Sequence, residues 1–566
     1  MAKLLRVNLA KGQVHYEDVP EKYRLLAGRG LTSQIVLDEV EPICEPLGEL
    51  NKLVIAPGLF AGTRCPNSNR IFIGAKSPLT GTIKESNAGG TVARKLAKLG
   101  IKGIIVEGKP ASDAWNVLVL KKDEAILVPS QELVGLGNYK TMESLHESYG
   151  AKVGIMSIGQ AGEMMLSAAS VAVSDPDGLP NRHCGRGGMG AVLGSKKIKA
   201  IVIDDTGAND SIAEIADPEG FNEVCKEWTK TLAANTVGLK NFGTTNLVNP
   251  INAVGGLPVK NFSKGSYDRF EKINGQALAE ACIANGGRVG HACSPGCVVR
   301  CSNVYHDRNG KYVVSAIEFE TVALFGSNLD IDNLETIARL NRLCNDYGVD
   351  TMDVGGAVGV AMEAGIADWG DEEAALDMVE QIGKGTVLGR LLGNGSTITG
   401  KVLGITRIPA SKGQNMSAYD PRALKGTGVT YATSVQGADH TIGNGLPGRF
   451  GVDTNKKDQQ VEISRKLQIM TAVVDGLGLC LFIGPMPPTM DTLVKVFSKY
   501  VGREITLDEL LERGKELLRV EMSFNKLAGF TNADNRLPEF FSKEPLEPKG
   551  VVFDITPEEL DDVLNF

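Results

Sequence analysis

The sequence predicts an α+β fold, in which a β-rich N-terminal domain is followed by two largely helical domains. Through roughly the first two hundred residues, short apolar segments alternate with turn residues. From about Ala216 the apolar spacing changes to the period of a helix. A stretch rich in Gly, Pro and Asp, from Pro409 to Gly448, then divides the helical part. We therefore place the domains at 1–210, 211–415 and 416–566.

Strand-like segments define the first domain. The first two flank the turn Ala10-Lys11-Gly12 and predict a hairpin. The predicted strands are LLRVNL, QVHYEDV, KLVIA, RIFIGA, GIIVEG, NVLVL, AILVP, VGIMSIG and AIVIDD.

Helical patterns dominate the rest of the chain. Asp217 and Pro218 have the residue types of an N-cap and a first helical residue, and they precede GFNEVCKEWTKTLAA. Further helices are predicted at NLETIARLNRLC, DEEAALDMVEQIG, TVLGRLLG, VEISRKLQIMTAVV, MDTLVKVFSKYV and TLDELLERGKELLRVEMSFNKLAG.

Composition narrows the class of protein. The chain has 566 residues, 42% of them apolar, and a formal charge of -8, with Lys and Arg scattered along it. Scattered basic residues argue against a nucleic-acid surface. The start, MAKLLRVNLAKGQ, is unlike a signal peptide, and no apolar run reaches the roughly 18 residues of a membrane span. We expect a cytoplasmic oligomer that acts on small molecules, without nucleic acid or a membrane span.

Three cysteines in HACSPGCVVRC predict a metal centre. Ten cysteines in the chain are too few for a disulfide scaffold. Ser294-Pro295 predicts the start of a helix, which would place Cys297 and Cys301 on one face with Cys293 on the loop before it. Three converging thiolates are typical of an iron-sulfur cluster. The chain is therefore predicted to be a redox protein.

A [4Fe-4S] cluster takes four thiolates, and Cys480 is the candidate for the fourth. Two alternatives remain open at this point: a zinc site, although His291 and His306 lack the usual ligand spacing, and cysteines that only fill the core.

Two helix ends share one pattern. In each, an Asx residue is followed by a Gly that fits a left-handed C-cap and then by an aliphatic residue. The two turns are Asn345, Gly348, Val349 and Asp350 in one and Asp475, Gly478, Leu479 and Cys480 in the other.

Two glycine-rich segments predict anion binding. One is SNAGG, which precedes the helical TVARKLAKLG. The other runs from Arg182 to Gly190 and includes Arg186, Gly187 and Met189. Glycines expose backbone amides, and arginine adds paired donors where a phosphorylated cofactor needs them. Turns without a ligand are the alternative.

Three ionisable side chains are candidates for proton transfer. Glu318 and Glu320 lie among apolar neighbours, where an ionised carboxylate needs a partner. On a strand the two would face one side, and on a helix they would diverge. His440 is one of six histidines and is either structural or an acid or base.

Six segments together resemble the tungsten-containing aldehyde:ferredoxin oxidoreductase family over essentially the full length: RHCGRGGMGAVLGSKKIKAI, SNAGG, EFET, NDYGVDT, GADH and DGLGLC. The resemblance implies a β-rich base under two helical domains. At their interface it implies a tungsten or molybdenum atom held by two pterins, with a [4Fe-4S] cluster close by.

The resemblance also implies roles for individual residues. Cys293, Cys297, Cys301 and Cys480 would hold the cluster. Glu320, with Glu318 as the alternative, and His440 would be the active-site carboxylate and imidazole. The cofactor-binding residues would be Arg70, Asn87, Gly89, Arg186, Gly187, Met189, Asn345, Val349, Asp350, Asp475 and Leu479, and the backbone oxygens of Asn87 and Gly187 would hold a Mg²⁺ that bridges the pterin phosphates.

Several positions depart from the family pattern. The cysteine spacing is three and three residues rather than two and three, and Asn345 replaces the usual Asp. Gln436 and Ile442 stand where basic residues are common. Glu143 and His146 have the spacing of an additional iron site but lie in the wrong region.

The predicted activity is oxidation of an aldehyde to a carboxylic acid with water as the oxygen source. Electrons would pass to ferredoxin or to dedicated iron-sulfur and flavin subunits. The alternatives are a reductive role, such as the catalytic subunit of an aromatic acyl-CoA reductase, and a non-catalytic iron-sulfur electron-transfer subunit.

Overall fold

A computed structural model describes residues 2–110, 112–208 and 214–566. It confirms the α+β class, with two six-stranded sheets in the N-terminal region and a largely helical remainder. All nine predicted strands are present. The predicted boundary near residue 210 lies outside the described residues, and the boundary near 415 stays a prediction, although a short strand ends at Asn415.

The first sheet has the order β2-β1-β6-β3-β4-β5, and only its β1–β6 pair is parallel. Its strands are β1 (Lys3–Asn8), β2 (Gln13–Asp18), β3 (Leu53–Pro57), β4 (Ile71–Lys76), β5 (Ile83–Ala88) and β6 (Ile101–Glu107). The second has the order β11-β10-β9-β12-β7-β8. Its strands are β7 (Asn116–Lys121), β8 (Glu124–Pro129), β9 (Gly154–Ser157), β10 (Val171–Val173), β11 (Arg182–Cys184) and β12 (Ile198–Ile203).

The two sheets share one apolar core. Val7 of the first sheet and Ile201 of the second belong to the same buried cluster, together with Leu96 and Val192 from two helices between them. The helices of this region are α1 (Gly28–Glu39), α2 (Val92–Lys98), α3 (Asn138–Tyr149), α4 (Gln160–Glu163) and α5 (Met189–Ser195). Burying this apolar surface fixes the sheets relative to each other.

Strands β5 and β11 were not predicted, and both carry predicted cofactor segments. SNAGG begins within β5, and the arginine-glycine run begins with β11. In β5 the side chains of Lys84, Glu85 and Ser86 are buried although they are polar. The apolar alternation that reveals a half-buried strand is therefore missing.

The middle region is helical around a three-stranded antiparallel sheet. Its helices are α6 (Pro218–Asn235), α7 (Val237–Phe242), α8 (Val248–Ala253), α9 (Gly275–Ala284), α10 (Phe319–Phe325), α11 (Leu334–Tyr347), α12 (Thr351–Glu363), α13 (Glu372–Lys384), α14 (Val387–Leu392) and α15 (Gly395–Leu403). The strands are β13 (Arg288–His291), β14 (Ser302–His306) and β15 (Tyr312–Ser315), followed by the hairpin β16 (Ala410–Ser411) and β17 (Gln414–Asn415). The Asp217 carboxylate caps α6 by accepting from Gly220 N, as predicted.

The last region consists of α16 (Lys425–Thr433), α17 (Gln460–Leu477), α18 (Pro487–Val501), α19 (Leu507–Leu527), α20 (Phe540–Lys543) and α21 (Pro557–Asp561). A capping box of Thr506 and Glu509 begins α19. Helix α1 of the first region packs against both α17 and α19. Within the described residues, none of the helices has the length and apolarity to cross a bilayer.

Candidate active site

One cavity of about 620 Å³ lies where the β-rich region meets the helical regions. Strands β5 and β11, the cysteine loop, the start of α10 and the ends of α11 and α17 all contribute to its wall. The predicted site residues that line it are Arg70, Asn87, Gly89, Arg186, Cys293, Cys297, Cys301, Glu318, Glu320, Asn345, Val349, Asp350, His440, Asp475 and Cys480.

Three predicted residues do not line this cavity. Met189 and Leu479 are buried in apolar clusters. The carbonyl oxygen of Gly187 accepts a hydrogen bond from Ser77 Oγ at 2.7 Å, and a Cβ on Gly187 would lie 2.4 Å from Lys84 Cγ. Only the backbones of Gly187 and Leu479 remain available for the roles predicted from the resemblance.

The cysteine loop is not helical, so the predicted helix starting at Ser294-Pro295 is wrong. Residues 294–297 instead form a turn, in which Cys297 N donates to Ser294 O at 3.2 Å. Gly296 has φ +77°, and a Pro-Gly pair at the centre of a turn is typical of type II. The turn brings Cys293, Cys297 and Cys301 to the cavity by a different route.

Asn67, which the sequence reading missed, ties this loop to the fourth cysteine. Its Oδ1 accepts from Val298 N at 3.0 Å, and its Nδ2 lies 3.7 Å from Cys297 Sγ. Its carbonyl oxygen accepts from Cys480 N at 3.0 Å. Asn67 has φ +57°, a conformation in which Asn is enriched, but no nearby residue marks it in the sequence.

Gly89 allows Cys293 to approach β5. A Cβ on Gly89 would lie 2.8 Å from Cys293 Sγ and 3.3 Å from its carbonyl oxygen. That carbonyl accepts from Gly90 N at 2.8 Å, which fixes the distance between the two segments. Gly89 is therefore needed for the close approach of the cysteine loop, and its predicted contact with the cofactor stays a prediction.

Two buried arginines face the thiols. Arg70 Nη1 lies 3.8 Å from Cys480 Sγ, while its Nε donates to Asn87 Oδ1 at 2.6 Å. Arg182 Nη2 donates to Ser302 Oγ at 2.8 Å, but its buried Nε has no hydrogen-bond partner. The interaction with Cys297, followed by the charges of Arg182 and Arg70, holds the pKa of Cys293 well below its usual value, whereas burial raises the pKa of Cys301 and of Cys480. The two arginines therefore favour an anionic sulfur at Cys293.

No three His, Cys, Asp or Glu side chains of the described residues converge on a point that would hold a single metal ion.

The two paired turns are confirmed. Gly348 and Gly478 are left-handed, with φ of +72° and +77°. Val349 N donates to Cys344 O at 2.9 Å, and Leu479 N donates to Val474 O at 3.0 Å, the long bond of a Schellman motif in both cases. Each helix end thereby presents its turn to the cavity.

The carboxylates of the paired turns differ in their surroundings. Asp350 caps α12 and accepts from Arg186 Nε at 3.3 Å. Burial raises the pKa of Asp475 to about 6, although Arg29 opposes this from 3.2 Å. Arg29 is fully buried and donates twice to Glu521, from Nε at 2.9 Å and from Nη2 at 2.6 Å. The sequence reading missed this buried ion pair.

Arg186 is occupied by protein partners. Besides Asp350, its Nη1 donates to Ala438 O at 2.8 Å and to Ser417 Oγ at 3.3 Å. It connects the β-rich region, the start of α12 and the segment before His440. Arg186 therefore holds three elements together at the cavity wall, and its predicted role in phosphate binding stays a prediction.

Glu320 and His440 form a direct pair, with 2.8 Å between Glu320 Oε1 and His440 Nε2. Tyr419, also missed, donates to the same oxygen at 3.1 Å. Burial alone would raise the pKa of Glu320, but His440 and Tyr419 outweigh it and lower the pKa. Glu320 is therefore an ionised carboxylate in a buried site.

Glu318 faces another part of the cavity. It precedes α10 and Glu320 lies in its first turn, so the two carboxylates diverge as predicted for a helix. Glu318 Oε2 accepts from Thr244 Oγ1 at 2.5 Å. Burial raises the pKa of Glu318 to about 7, whereas Thr244 and Arg182 oppose the shift.

Family models match nearly the whole chain. The model of the aldehyde ferredoxin oxidoreductase N-terminal domain matches residues 4–205, and the model of domains 2 and 3 of the same family matches residues 223–565. These matches define the chain as an oxidoreductase enzyme. It belongs to the aldehyde ferredoxin oxidoreductase family.

Curated relatives are similar over the same length. The tungsten-containing aldehyde ferredoxin oxidoreductase of Pyrococcus furiosus is 33% identical, over 97% of this chain and 92% of the relative. That of Thermococcus kodakarensis is 32% identical with the same coverage. The aliphatic sulfonate oxidoreductase, WOR-like subunit, of P. furiosus is 26% identical, over 97% of this chain and 90% of the relative.

The chain also shares its fold with a solved structure. That structure is the active site complex BamBC of benzoyl coenzyme A reductase in complex with 1,5 dienoyl-CoA. The superposition has a TM-score of 0.83 and 19% sequence identity, over 100% of this chain and 93% of the other.

Proposed function

We propose that this enzyme oxidises aldehydes to carboxylic acids, with water as the oxygen source. The reaction converts RCHO and H₂O into RCOOH, two protons and two electrons. The observation that carries the proposal is the buried Glu320–His440–Tyr419 group in the same cavity as four cysteines and two matching helix ends. A proton acceptor and a path for electrons thus share one enclosed space.

A tungsten or molybdenum bis-pterin fits the cavity wall. The two helix ends line the cavity with Asn345, Val349 and Asp350 on one side and Asp475 and Cys480 on the other, and the unpaired Nε of Arg182 offers a donor. Asn87 lines the cavity and its carbonyl accepts a hydrogen bond from Arg70, which leaves a lone pair for Mg²⁺; Gly187 does not line the cavity, and its proposed Mg²⁺ role rests on the family resemblance alone. When bound, the metal-pterin group supplies a two-electron redox centre that withdraws charge from the carbonyl.

The four cysteines fit a [4Fe-4S] cluster. Thiolate ligands suit iron-sulfur clusters, and the anionic cluster would be offset by Arg70 and Arg182. Cys293, Cys297 and Cys301 are all partly exposed and line the cavity together with Cys480. Electrons would leave singly through the cluster to ferredoxin or to dedicated iron-sulfur and flavin subunits.

Glu320 is the proposed proton acceptor. Hydrogen bonds from His440 and Tyr419 favour its ionised form, and its position inside the cavity limits the access of bulk water to the proton. It would take a proton from the water that attacks the carbonyl carbon. His440, at hydrogen-bond distance, orients the carboxylate and stabilises its charge.

The test joins elemental analysis to an anaerobic aldehyde panel with a viologen dye as acceptor. We expect tungsten or molybdenum, four irons per chain and aldehyde-dependent dye reduction. Glu320→Gln should lower turnover by a factor on the order of 10² to 10⁴ while metal content stays unchanged. Metal-loaded protein that oxidises none of the aldehydes would refute the proposal.

Glu335→Gln is the matched control. Glu335 lies in the first turn of α11, as Glu320 does in α10, and it pairs at 3.3 Å with the exposed Arg308 outside the cavity. Its turnover should equal that of the wild type. The same metal analysis tests the alternative that the chain is a non-catalytic electron-transfer subunit, because such a subunit would contain iron but neither tungsten nor molybdenum. An acyl-CoA substrate added to the panel addresses the reductive alternative.

A further inference from the structure

Each ring nitrogen of His440 has one close partner. Nε2 lies 2.8 Å from Glu320 Oε1, and Nδ1 lies 2.6 Å from Ser417 Oγ. The ring is buried and lies 5.4 Å from the Tyr419 ring, which restricts its rotation. The state of the ring is therefore set by which partner donates and which accepts.

A third group, Arg186, determines the direction in which the Ser417 hydroxyl donates its hydrogen. Arg186 Nη1 lies 3.3 Å from Ser417 Oγ, and a guanidinium can only donate. Ser417 Oγ thus accepts from Arg186 and keeps one hydrogen of its own. Within the described part of the chain that hydrogen meets one acceptor, His440 Nδ1. Nδ1 then carries no hydrogen, and Nε2 donates to Glu320.

The remaining charges around His440 have partners of their own. Asp439 Oδ1 lies 4.0 Å from Nδ1 but accepts from Thr441 N and from Thr441 Oγ1, and Asp439 Oδ2 accepts from Lys84 at 2.7 Å. Helix α17 faces this segment with the uncharged Gln468. Tyr419 donates to Glu320, and Tyr431 donates to the backbone carbonyl of Ser417.

We propose that Ser417 is a positioning residue that holds His440 as the neutral tautomer with its hydrogen on Nε2. In that state the imidazole donates to Glu320, and Glu320 stays free to accept a proton. This inference depends on the proposed function in one respect: only that function assigns a use to the proton that Glu320 accepts.

Loss of the hydroxyl removes the hydrogen bond that favours an unprotonated Nδ1. The neutral ring loses its stabilising donor, whereas the imidazolium keeps its attraction to Glu320. Glu320 then faces a cation and becomes a poorer base. A hydrogen bond worth about 1 kcal/mol corresponds to a shift of roughly one pH unit or less in the acid limb of activity.

The tautomer is measured without turnover. Protein labelled with ¹⁵N-histidine gives a separate signal for each ring nitrogen, and His440→Asn identifies the signals of His440. We expect a hydrogen-free Nδ1 and a protonated Nε2 at neutral pH in the wild type. In Ser417→Ala the imidazolium should persist to higher pH. A wild-type ring with its hydrogen on Nδ1, or with hydrogens on both nitrogens, would overturn the proposal.

The kinetic test uses Ser417→Ala and Ser417→Thr, each with its metal and pterin content measured. We expect the acid limb of the kcat profile to move to higher pH in Ser417→Ala and to return in Ser417→Thr, which keeps a hydroxyl. Ser411→Ala is the control, since this buried hydroxyl donates to Arg536 O outside the cavity.

A uniform loss of rate at every pH, with no rescue by threonine, would indicate only a structural role and would contradict the proposal. If the wild type oxidises no aldehyde, the proposed function fails, while the tautomer measurement still decides the role of Ser417.

Discussion

Replacement of Gly89 by alanine tests whether β5 and the cysteine loop form one cluster site. The new Cβ would lie 2.8 Å from Cys293 Sγ, whereas ordinary contact begins at 3.4 Å, so the sulfur would have to withdraw by 0.6 Å to reach ordinary contact. A metal-ligand distance tolerates about 0.2 Å. The loop cannot simply retreat, because Gly90 N holds the Cys293 carbonyl at 2.8 Å.

We therefore expect Gly89→Ala to lose iron while the fold persists, since overpacking of this size costs about 1–3 kcal/mol. Iron and acid-labile sulfide per chain, together with the EPR spectrum of the reduced protein, measure the effect. Gly30→Ala is the matched control: its nearest atom would be 3.7 Å away, in ordinary contact. Full iron content and an unchanged spectrum in Gly89→Ala would refute the reasoning.

Two further predictions concern buried charges. Arg29→Met leaves Glu521 charged and unpaired in the interior, which should lower the free energy of unfolding by roughly 3–5 kcal/mol; thermal unfolding measures this, and the double variant with Glu521→Gln should recover part of the loss. The pKa of Glu318 is about 7 in the folded chain and near 4.5 in the unfolded chain, so between these two pH values only the folded chain keeps the proton. A rise in pH from 4.5 to 7 therefore lowers the free energy of unfolding by about 3 kcal/mol in total. The Glu318→Gln variant should lack this decline, and unfolding curves at pH 5, 6 and 7 measure it.

Control variants distinguish these effects from a general loss of folding stability. The exposed pair of Arg24 with Glu21, at 3.5 Å, is worth less than about 1 kcal/mol, so Arg24→Met should unfold almost as the wild type does. Wild-type stability in Arg29→Met would contradict the prediction for the buried pair. A decline of equal slope in Glu318→Gln and the wild type would assign the pH dependence to another group.

The sequence determined those features whose cause is local. Short apolar segments separated by turn residues identified nine strands, because a buried strand is a short apolar run bounded by turns. Gly348 and Gly478 identified both paired turns, because a left-handed C-cap favours glycine wherever the rest of the chain lies. The spacing of the cysteines indicated a shared site, although the helix predicted to bring the thiols together is a turn.

The tertiary structure decided what depends on distant partners. Ser294-Pro295 suits both a helix start and a turn, and contacts of the loop with Asn67 and Asn69 accompany the turn. Strand β5 escaped prediction because its polar side chains are buried against the helical regions.

The proposed catalytic group shows the same division between local and distant causes. Glu320 and His440 were candidates from residue type alone, but Tyr419 and Ser417 become partners only when the segment after β17 folds over α10. Arg29 and Glu521 are 492 positions apart, and no local pattern relates them. Local conformation can be predicted from the sequence because its causes lie within a few residues, whereas the ionic partners of a buried site depend on how the domains pack.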